Sequence, residues 1–126
     1  APLMQKRGGG AIVNVMSIGN ILTLPEYVVI GASKGALEVV TRYCAVELAS
    51  MGIVVNAVSP GVIETDALNF FTAGKEMASR GAEHTPAGRI VTPEDVAKII
   101  AFLCSPDAFM IRGQTLIVDG GFMWKI

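Results

Sequence analysis

Residues 53–61 read IVVNAVSPG. A strand with one face in water alternates apolar and polar side chains, two residues to the repeat. This stretch does not alternate. Apart from Asn56 it is β-branched or small and apolar up to Ser59, the pattern of a parallel strand covered on both faces. Pro60 and Gly61 then end it, since proline lacks the N–H a sheet interior needs and the pair favours a turn.

Upstream, residues 31–51 carry Leu37, Val40, Cys44 and Leu48 at helical spacing, and Gly52 closes that helix. Before it, residues 11–17 (AIVNVMS) form a second run of the buried-strand type, and residues 1–7 read as a helix end stopped by Gly8, Gly9 and Gly10. Downstream, Thr92-Pro93-Glu94-Asp95 is a helix start: a threonine cap, proline in the first turn, and two acids near the positive end of the helix dipole. That helix reaches about Cys104. Residues 115–118 (TLIV) give a third strand, followed by Asp119-Gly120-Gly121. Strand, helix, strand, helix, strand is the order of an α/β fold with a parallel sheet and crossover helices. Three parallel strands alone would leave long apolar edges, and the sequence opens inside a helix. Both features make residues 1–126 read as half of a larger fold.

The chain has 126 residues, 52% of them hydrophobic, a formal net charge of −1 and a mean hydropathy of +0.54. The length fits one domain. The near-neutral balance lacks the clustered Lys and Arg that nucleic acid or an anionic membrane would attract. Residues 8–25 carry no charge, but Asn14, Gly19, Asn20 and Pro25 interrupt them, and a spanning helix needs about 20 mostly apolar residues. No signal peptide is expected, since Lys6 and Arg7 precede three glycines rather than an apolar core. Cys44 and Cys104 sit in apolar settings and read as two buried thiols of a cytoplasmic protein rather than a disulfide. No His/Cys spacing indicates a metal.

Four pieces with chemical potential follow one another. They are Asn14-Val15-Met16-Ser17; Tyr27 with Gly31-Ala32-Ser33-Lys34; the run from Asn56 to Thr65, which includes Ser59-Pro60-Gly61-Val62-Ile63-Glu64; and Val118-Asp119-Gly120-Gly121. In this order they resemble the short-chain dehydrogenase/reductase family across the whole chain. Most members place the active tyrosine four positions before the lysine, where this sequence has Ile30; Tyr27 stands seven before Lys34. In that respect the chain is similar to the enoyl-acyl carrier protein reductases of the superfamily, closest to the NADPH-dependent type III group. That likeness extends to Thr85-Pro86-Ala87-Gly88-Arg89 and to Met110-Ile111-Arg112-Gly113-Gln114-Thr115.

Four and seven residues both return to nearly the same helix face, and seven sets the phenol back by about 4.5 Å at 1.5 Å per residue. Ketone reduction delivers hydride and proton to adjacent atoms. Enoyl thioester reduction delivers hydride to the β-carbon while charge develops on the more distant thioester oxygen, a geometry that suits a displaced phenol.

The resemblance implies the C-terminal, catalytic half of a Rossmann-like doubly wound parallel sheet, with the N-terminal phosphate-binding half absent and the 126-residue chain inactive alone. It implies NADPH, with NADH as the other option, and an enoyl thioester on acyl carrier protein or coenzyme A. It implies Tyr27 on the developing enolate oxygen, Lys34 on the nicotinamide ribose, and Ser17 assisting the oxyanion. Pro60, Gly61, Val62, Ile63 and Thr65 would frame the carboxamide and a nearby phosphate through exposed backbone groups. Leu68, Phe70, Phe71 and Met77, within a substrate-covering segment at about 64–91, would wall the acyl chain. A homo-oligomer, as a tetramer, is expected, with no nucleic acid and no membrane partner.

Blander readings stand beside these. Tyr27 would be a loop aromatic, Lys34 a solvated helix lysine, Ser17 a turn cap, and Pro60-Gly61 an ordinary strand-ending turn. Tyr43 reads as interface or core and His84 as surface. A ketone or hydroxyl oxidoreductase of the same fold is the alternative activity, and a catalytically silent assembly unit the alternative class.

Overall fold

The computed structural model describes residues 1–65 and 74–125. A short helix, α1 (Pro2–Gln5), leads into β1 (Gly10–Val15); α2 (Val28–Glu47), β2 (Ile53–Pro60), α3 (Gly74–His84), α4 (Pro93–Leu103) and β3 (Thr115–Val118) follow. The three strands make one sheet in the order β1-β2-β3, parallel throughout. Gly10 pairs with Ile53 and Val15 with Val58, while Ala57 pairs with Thr115 and Pro60 with Val118.

The fully apolar stretch is the central strand. Ile53, Val55, Ala57 and Val58 are each at most 1% exposed. Successive side chains of β2 point to opposite faces, and each face has its own cover. Ile53 and Val55 pack with Ala45 and Cys44 of α2 and with Leu48 just after it. Val58 packs with Val91 and with Val96, Ile99 and Ile100 of α4. Asn56, which with Ser59 is polar inside the strand, is buried and hydrogen-bonded: it donates to Ile111 O at 2.6 Å and accepts Gln114 N at 3.0 Å. It thereby fastens β2 to the loop that enters β3.

At the amino ends of the strands two glycines permit a close backbone approach. Gly52 closes the α2 region at φ 72°, and a Cβ on Gly9 would stand only 2.1 Å from Gly52 O. The start of α4 forms as read: the Thr92 hydroxyl accepts Asp95 N, and the Asp95 carboxylate accepts Thr92 N at 2.9 Å.

Several details differ from the sequence reading. β1 stops at Val15, because Ser17 turns the chain into a short 3-10 segment, Ile18–Asn20. α2 begins three residues earlier than read and ends at Glu47, followed by a separate 3-10 turn, Ala49–Met51. Val40, read as part of its buried stripe, is 49% exposed; the fully buried residues of α2 are Thr41 and Ala45. Tyr43 is exposed, so it is not core. Cys44 is only partly buried and Cys104 is exposed; both are free thiols, but neither is the buried thiol expected. His84 is exposed, as read. α3 was not anticipated within 64–91. Among the described residues no helix is long and apolar enough to cross a membrane.

Candidate functional site

Parallel strands present their carboxyl ends together, and in α/β sheets ligands bind beyond those ends. β1 delivers Val15 and then Ser17 to that edge. Ser17 is extended, with φ −156° and ψ 146°, and its Oγ accepts Gly19 N at 3.1 Å, which starts the 3-10 turn. The turn-cap reading of Ser17 is thus correct, and it does not exhaust the residue. The same Oγ lies 3.1 Å from the Tyr27 hydroxyl, a hydrogen bond in which either oxygen can donate.

Tyr27 is not inside the helix. It is the residue immediately before α2, with φ −105° and ψ 4°, and its carbonyl accepts Gly31 N at 2.7 Å. Its ring lies on Gly19: a Cβ there would come within 2.4 Å of Tyr27 Cε1. A Cβ on Gly31 would in turn come within 2.8 Å of Gly19 O. Two glycines therefore let the first turn of α2 press against the turn after β1, and this contact brings the two hydroxyls together. Spacing along the chain did not reveal either role. The signal available was weak: a glycine directly before Ala32-Ser33-Lys34, and another two residues after the serine.

Lys34 reaches the same edge from two turns into the helix. Its Nζ donates to Val15 O at 2.9 Å. That bond answers the reading of Lys34 as a merely solvated lysine: the ammonium is anchored at the end of β1. An ammonium has three N–H donors, and one goes to Val15. Ile30, in the position where a tyrosine would stand four before the lysine, is half-buried at the start of α2.

The Pro-Gly turn is less open than its sequence implied. Gly61 N donates to Val118 O at 2.9 Å, and Val62 O accepts Val91 N at 3.2 Å. Val62 is buried, Pro60 and Ile63 half-buried, and Ile63 bridges to Val91. The Gly61 N–H is thus committed to the sheet and does not face a ligand, contrary to the expectation of an exposed donor there; Glu64 and Thr65 are exposed. In the terminal Asp-Gly-Gly piece, buried Asp119 accepts Gly121 N at 2.8 Å and Met123 N at 2.9 Å, which shapes the loop after β3. Leu68, Phe70 and Phe71 lie outside the described residues. Met77 belongs to α3, with its side chain outside the description.

An open cleft of about 350 Å³ lies between α4 and β3, lined by Arg89, Val91, Asp95, Lys98, Val118 and Gly120. Ser17, Tyr27 and Lys34 do not line it. The chemistry-bearing cluster is the strand-end group: two hydroxyls in contact and a cation fixed on a carbonyl of the same strand. It can donate a proton or hydrogen bond to an oxygen and hold a polyhydroxylated group beside it. Among the described residues no group of three or more His, Cys, Asp or Glu could hold a metal ion.

A family profile described as Enoyl-(Acyl carrier protein) reductase matches residues 1–123. A tropinone reductase homolog from Arabidopsis thaliana is 40% identical over 121 residues, covering 96% of this chain and 46% of the relative. A 1-cyclohexenylcarbonyl-CoA reductase from Streptomyces collinus is 44% identical over 115 residues, covering 90% of this chain and 41% of the relative. The crystal structure of a gluconate 5-dehydrogenase from Burkholderia cenocepacia, in complex with NADP and tartrate, superposes with a TM-score of 0.85 at 32% identity, over 99% of this chain and 49% of that one. The chain spans about half the length of the proteins it matches.

Proposed function

This chain belongs to the short-chain dehydrogenase/reductase family, and from that premise we propose that it is the catalytic part of a cytoplasmic, nicotinamide-dependent reductase acting on an enoyl thioester, carried on acyl carrier protein or coenzyme A. The observation that carries the reading is the 3.1 Å contact between Ser17 Oγ and the Tyr27 hydroxyl, made by a tyrosine standing outside the helix while Ile30 occupies the position four before Lys34.

The residues fit a nicotinamide nucleotide in one respect that this structure displays. Lys34 Nζ is held at the carboxyl edge of the parallel sheet by Val15 O, where its remaining donors would meet ribose hydroxyls. Pro60, Val62, Ile63 and Thr65 would border the carboxamide and a phosphate, with Gly61 contributing shape rather than its N–H. NADPH is the proposed cofactor and NADH the alternative; the related gluconate 5-dehydrogenase was crystallised with NADP.

A bound reduced nicotinamide would supply a hydride for the β-carbon of the enoyl group. Tyr27 then donates a hydrogen bond to the thioester oxygen, where the electron pair displaced from the double bond accumulates. With Ser17 donating to the phenol, a chain runs from Gly19 N–H through Ser17 Oγ–H to Tyr27 O–H, each donor polarised by the one behind it. A proton taken from solvent at the α-carbon completes the reduction and returns the thioester carbonyl. Leu68, Phe70, Phe71 and Met77 are proposed to wall the acyl chain.

The same hydroxyl pair can protonate a ketone oxygen, and the similarity to a tropinone reductase homolog favours that second reading. The two separate cleanly. The full-length protein is assayed with NADPH, and with NADH, on crotonyl and acetoacetyl thioesters. The enoyl reading expects nicotinamide oxidation on the crotonyl substrate. Turnover on acetoacetyl thioester alone would replace it with ketone reduction.

A further inference from the structure

α2 carries Lys34, yet apolar packing only partly decides which of its faces meets the sheet. Its only fully buried residues, Thr41 and Ala45, are small. Leu37, Cys44 and Leu48 are only half-buried on that side, and much of the helix's apolar surface points elsewhere: Val28, Val29, Val39, Val40, Tyr43 and Val46 are all exposed. A helix with one apolar stripe is oriented by burying it. Here a rotation of about 100°, one residue's worth, would place Val40 where Thr41 sits and move each Cα by about 3.5 Å on a helix of radius about 2.3 Å.

What distinguishes the observed face is polar. Asn14 Nδ2 donates to Thr41 Oγ1 at 2.8 Å, and the Thr41 hydroxyl donates to Leu37 O at 2.8 Å. Thr41 is 0% exposed, and a different setting would take its hydroxyl away from the half-buried Asn14 amide that donates to it. Asn20 Nδ2 donates to Glu38 Oε2 at 2.8 Å, and Glu38 also pairs with Arg42 at 3.4 Å. Lys34, Glu38 and Thr41 lie on one face of α2 at helical spacing. Asn14 and Asn20 each stand three residues from Ser17, on either side of it, and Asn14 adjoins Val15, whose carbonyl holds Lys34.

We infer that Asn14–Thr41 and Asn20–Glu38 are positioning pairs that fix the rotation of α2, and thereby hold Lys34 in register with Ser17 and Tyr27. Buried polar pairs often specify one arrangement among several of similar energy, more than they add stability. This inference rests on the catalytic reading of Ser17, Tyr27 and Lys34.

The test uses the full-length protein. Thr41→Val removes the hydroxyl at nearly constant volume and makes positions 40 and 41 equally apolar. The expected result is a loss of kcat of about 10- to 100-fold together with weaker nicotinamide nucleotide binding, while KM for the thioester changes little. Thr41→Ser restores the hydroxyl and is expected to restore both quantities. A Thr41→Val protein with wild-type kcat and nucleotide Kd, even with a lower Tm, overturns the inference and leaves Thr41 as a packing residue. Lys34→Ala, measured in parallel, separates the two levels. Full turnover in Lys34→Ala removes the catalytic reading and this inference with it. Collapse in Lys34→Ala beside normal turnover in Thr41→Val removes only the positioning role. Should Thr41→Val not fold, Glu38→Ala, at a partly exposed site, decides: a fall in kcat with a weaker nucleotide Kd supports the inference, and wild-type values overturn it.

Discussion

Tyr27 stands one residue ahead of α2, so its phenol is held by what it touches rather than by helical register. Its ring lies on Gly19 and its hydroxyl stands 3.1 Å from Ser17. Tyr27→Phe in the full-length protein keeps the ring contact and removes only the donor. Turnover is expected to fall by about 10²–10³, the cost of one oxyanion donor, with nucleotide affinity nearly unchanged; titration of the nucleotide beside steady-state kinetics reads both, and near-wild-type turnover would remove Tyr27 from the chemistry. Gly19→Ala attacks the same geometry from behind. A Cβ 2.4 Å from Tyr27 Cε1 must push the ring aside, so turnover is expected to drop while the far-UV circular dichroism spectrum stays that of the parent. If activity survives Gly19→Ala, the ring position is not what matters. The identities of Ser17, Tyr27 and Lys34 were legible as types at a spacing. Their meeting was not, because it depends on two glycines whose value is the absence of a side chain at a contact between segments that pattern reading treats separately. The Gly61 N–H was misjudged for a related reason: a turn looks open in sequence, and only the placement of β3 shows that Val118 takes its donor.

At the scale of elements, legibility followed how much of the ordering was local. α4 was read correctly because its start is encoded in consecutive residues: Thr92, Pro93 and Asp95 cap and charge one turn. β2 was read because burial on both faces leaves a continuous apolar string. α2 was found with Cys44 and Leu48 on the face that packs on β2, but Val40 of the same stripe is exposed and Thr41 and Ala45 were overlooked, since apolar residues occupy more than one side of the helix. α3 was missed: its sequence, GKEMASRGAEH, has two glycines and little apolar periodicity, and its seat depends on distant residues, with Gly81 against Ile90 and Thr85 Oγ1 bonded back to Gly81 O. The α4 start also carries an acid-sensitive feature. Arg89 hydrogen-bonds both oxygens of Asp95, and Thr92 N adds a further bond, so the carboxyl is held well below its ordinary value of 3.8. A folded-state pKa below the unfolded one means that this stabilisation is fully present above about pH 4. It fades as pH falls further, toward the folded pKa. Asp95→Asn is therefore expected to lower Tm at neutral pH, with the gap to wild type narrowing as the pH drops below 4; a gap constant across that range would exclude the carboxylate as its source. Thr92→Ala, which removes the cap itself, is expected to cost about 1 kcal/mol in denaturant unfolding of the full-length protein.

The molecule as a whole shows more apolar surface than its own described elements cover. On α2, Val28, Val29 and Val46 are each at least 78% exposed and Tyr43 65%. Beyond β3, Trp124 is 77% exposed on the last 3-10 turn, Phe122–Trp124. Singly exposed apolar residues are ordinary; a row of them along one 20-residue helix is what an interface looks like before its partner is added. Other segments of the protein could supply the cover, since relatives are about twice as long, but the outward face of α2 lies opposite the face that Thr41 and Ala45 bury in the sheet. A self-complementary contact between two copies of the helix buries that face on both at once, the usual economy of two-fold assemblies. We therefore propose a homo-oligomer, a tetramer by resemblance, with α2 and the chain around β3 at its contacts. Light scattering of the full-length protein at micromolar concentration is expected to return a multiple of the monomer mass. Val46→Glu places a charge on the exposed face without disturbing the buried one, and is expected to lower that mass while leaving the circular dichroism spectrum unchanged. A monomer mass for the wild type would remove the oligomer and assign the apolar face of α2 to intramolecular cover. A wild-type oligomer indifferent to Val46→Glu would keep the assembly but move its contact off this helix, toward the residues around β3 and Trp124.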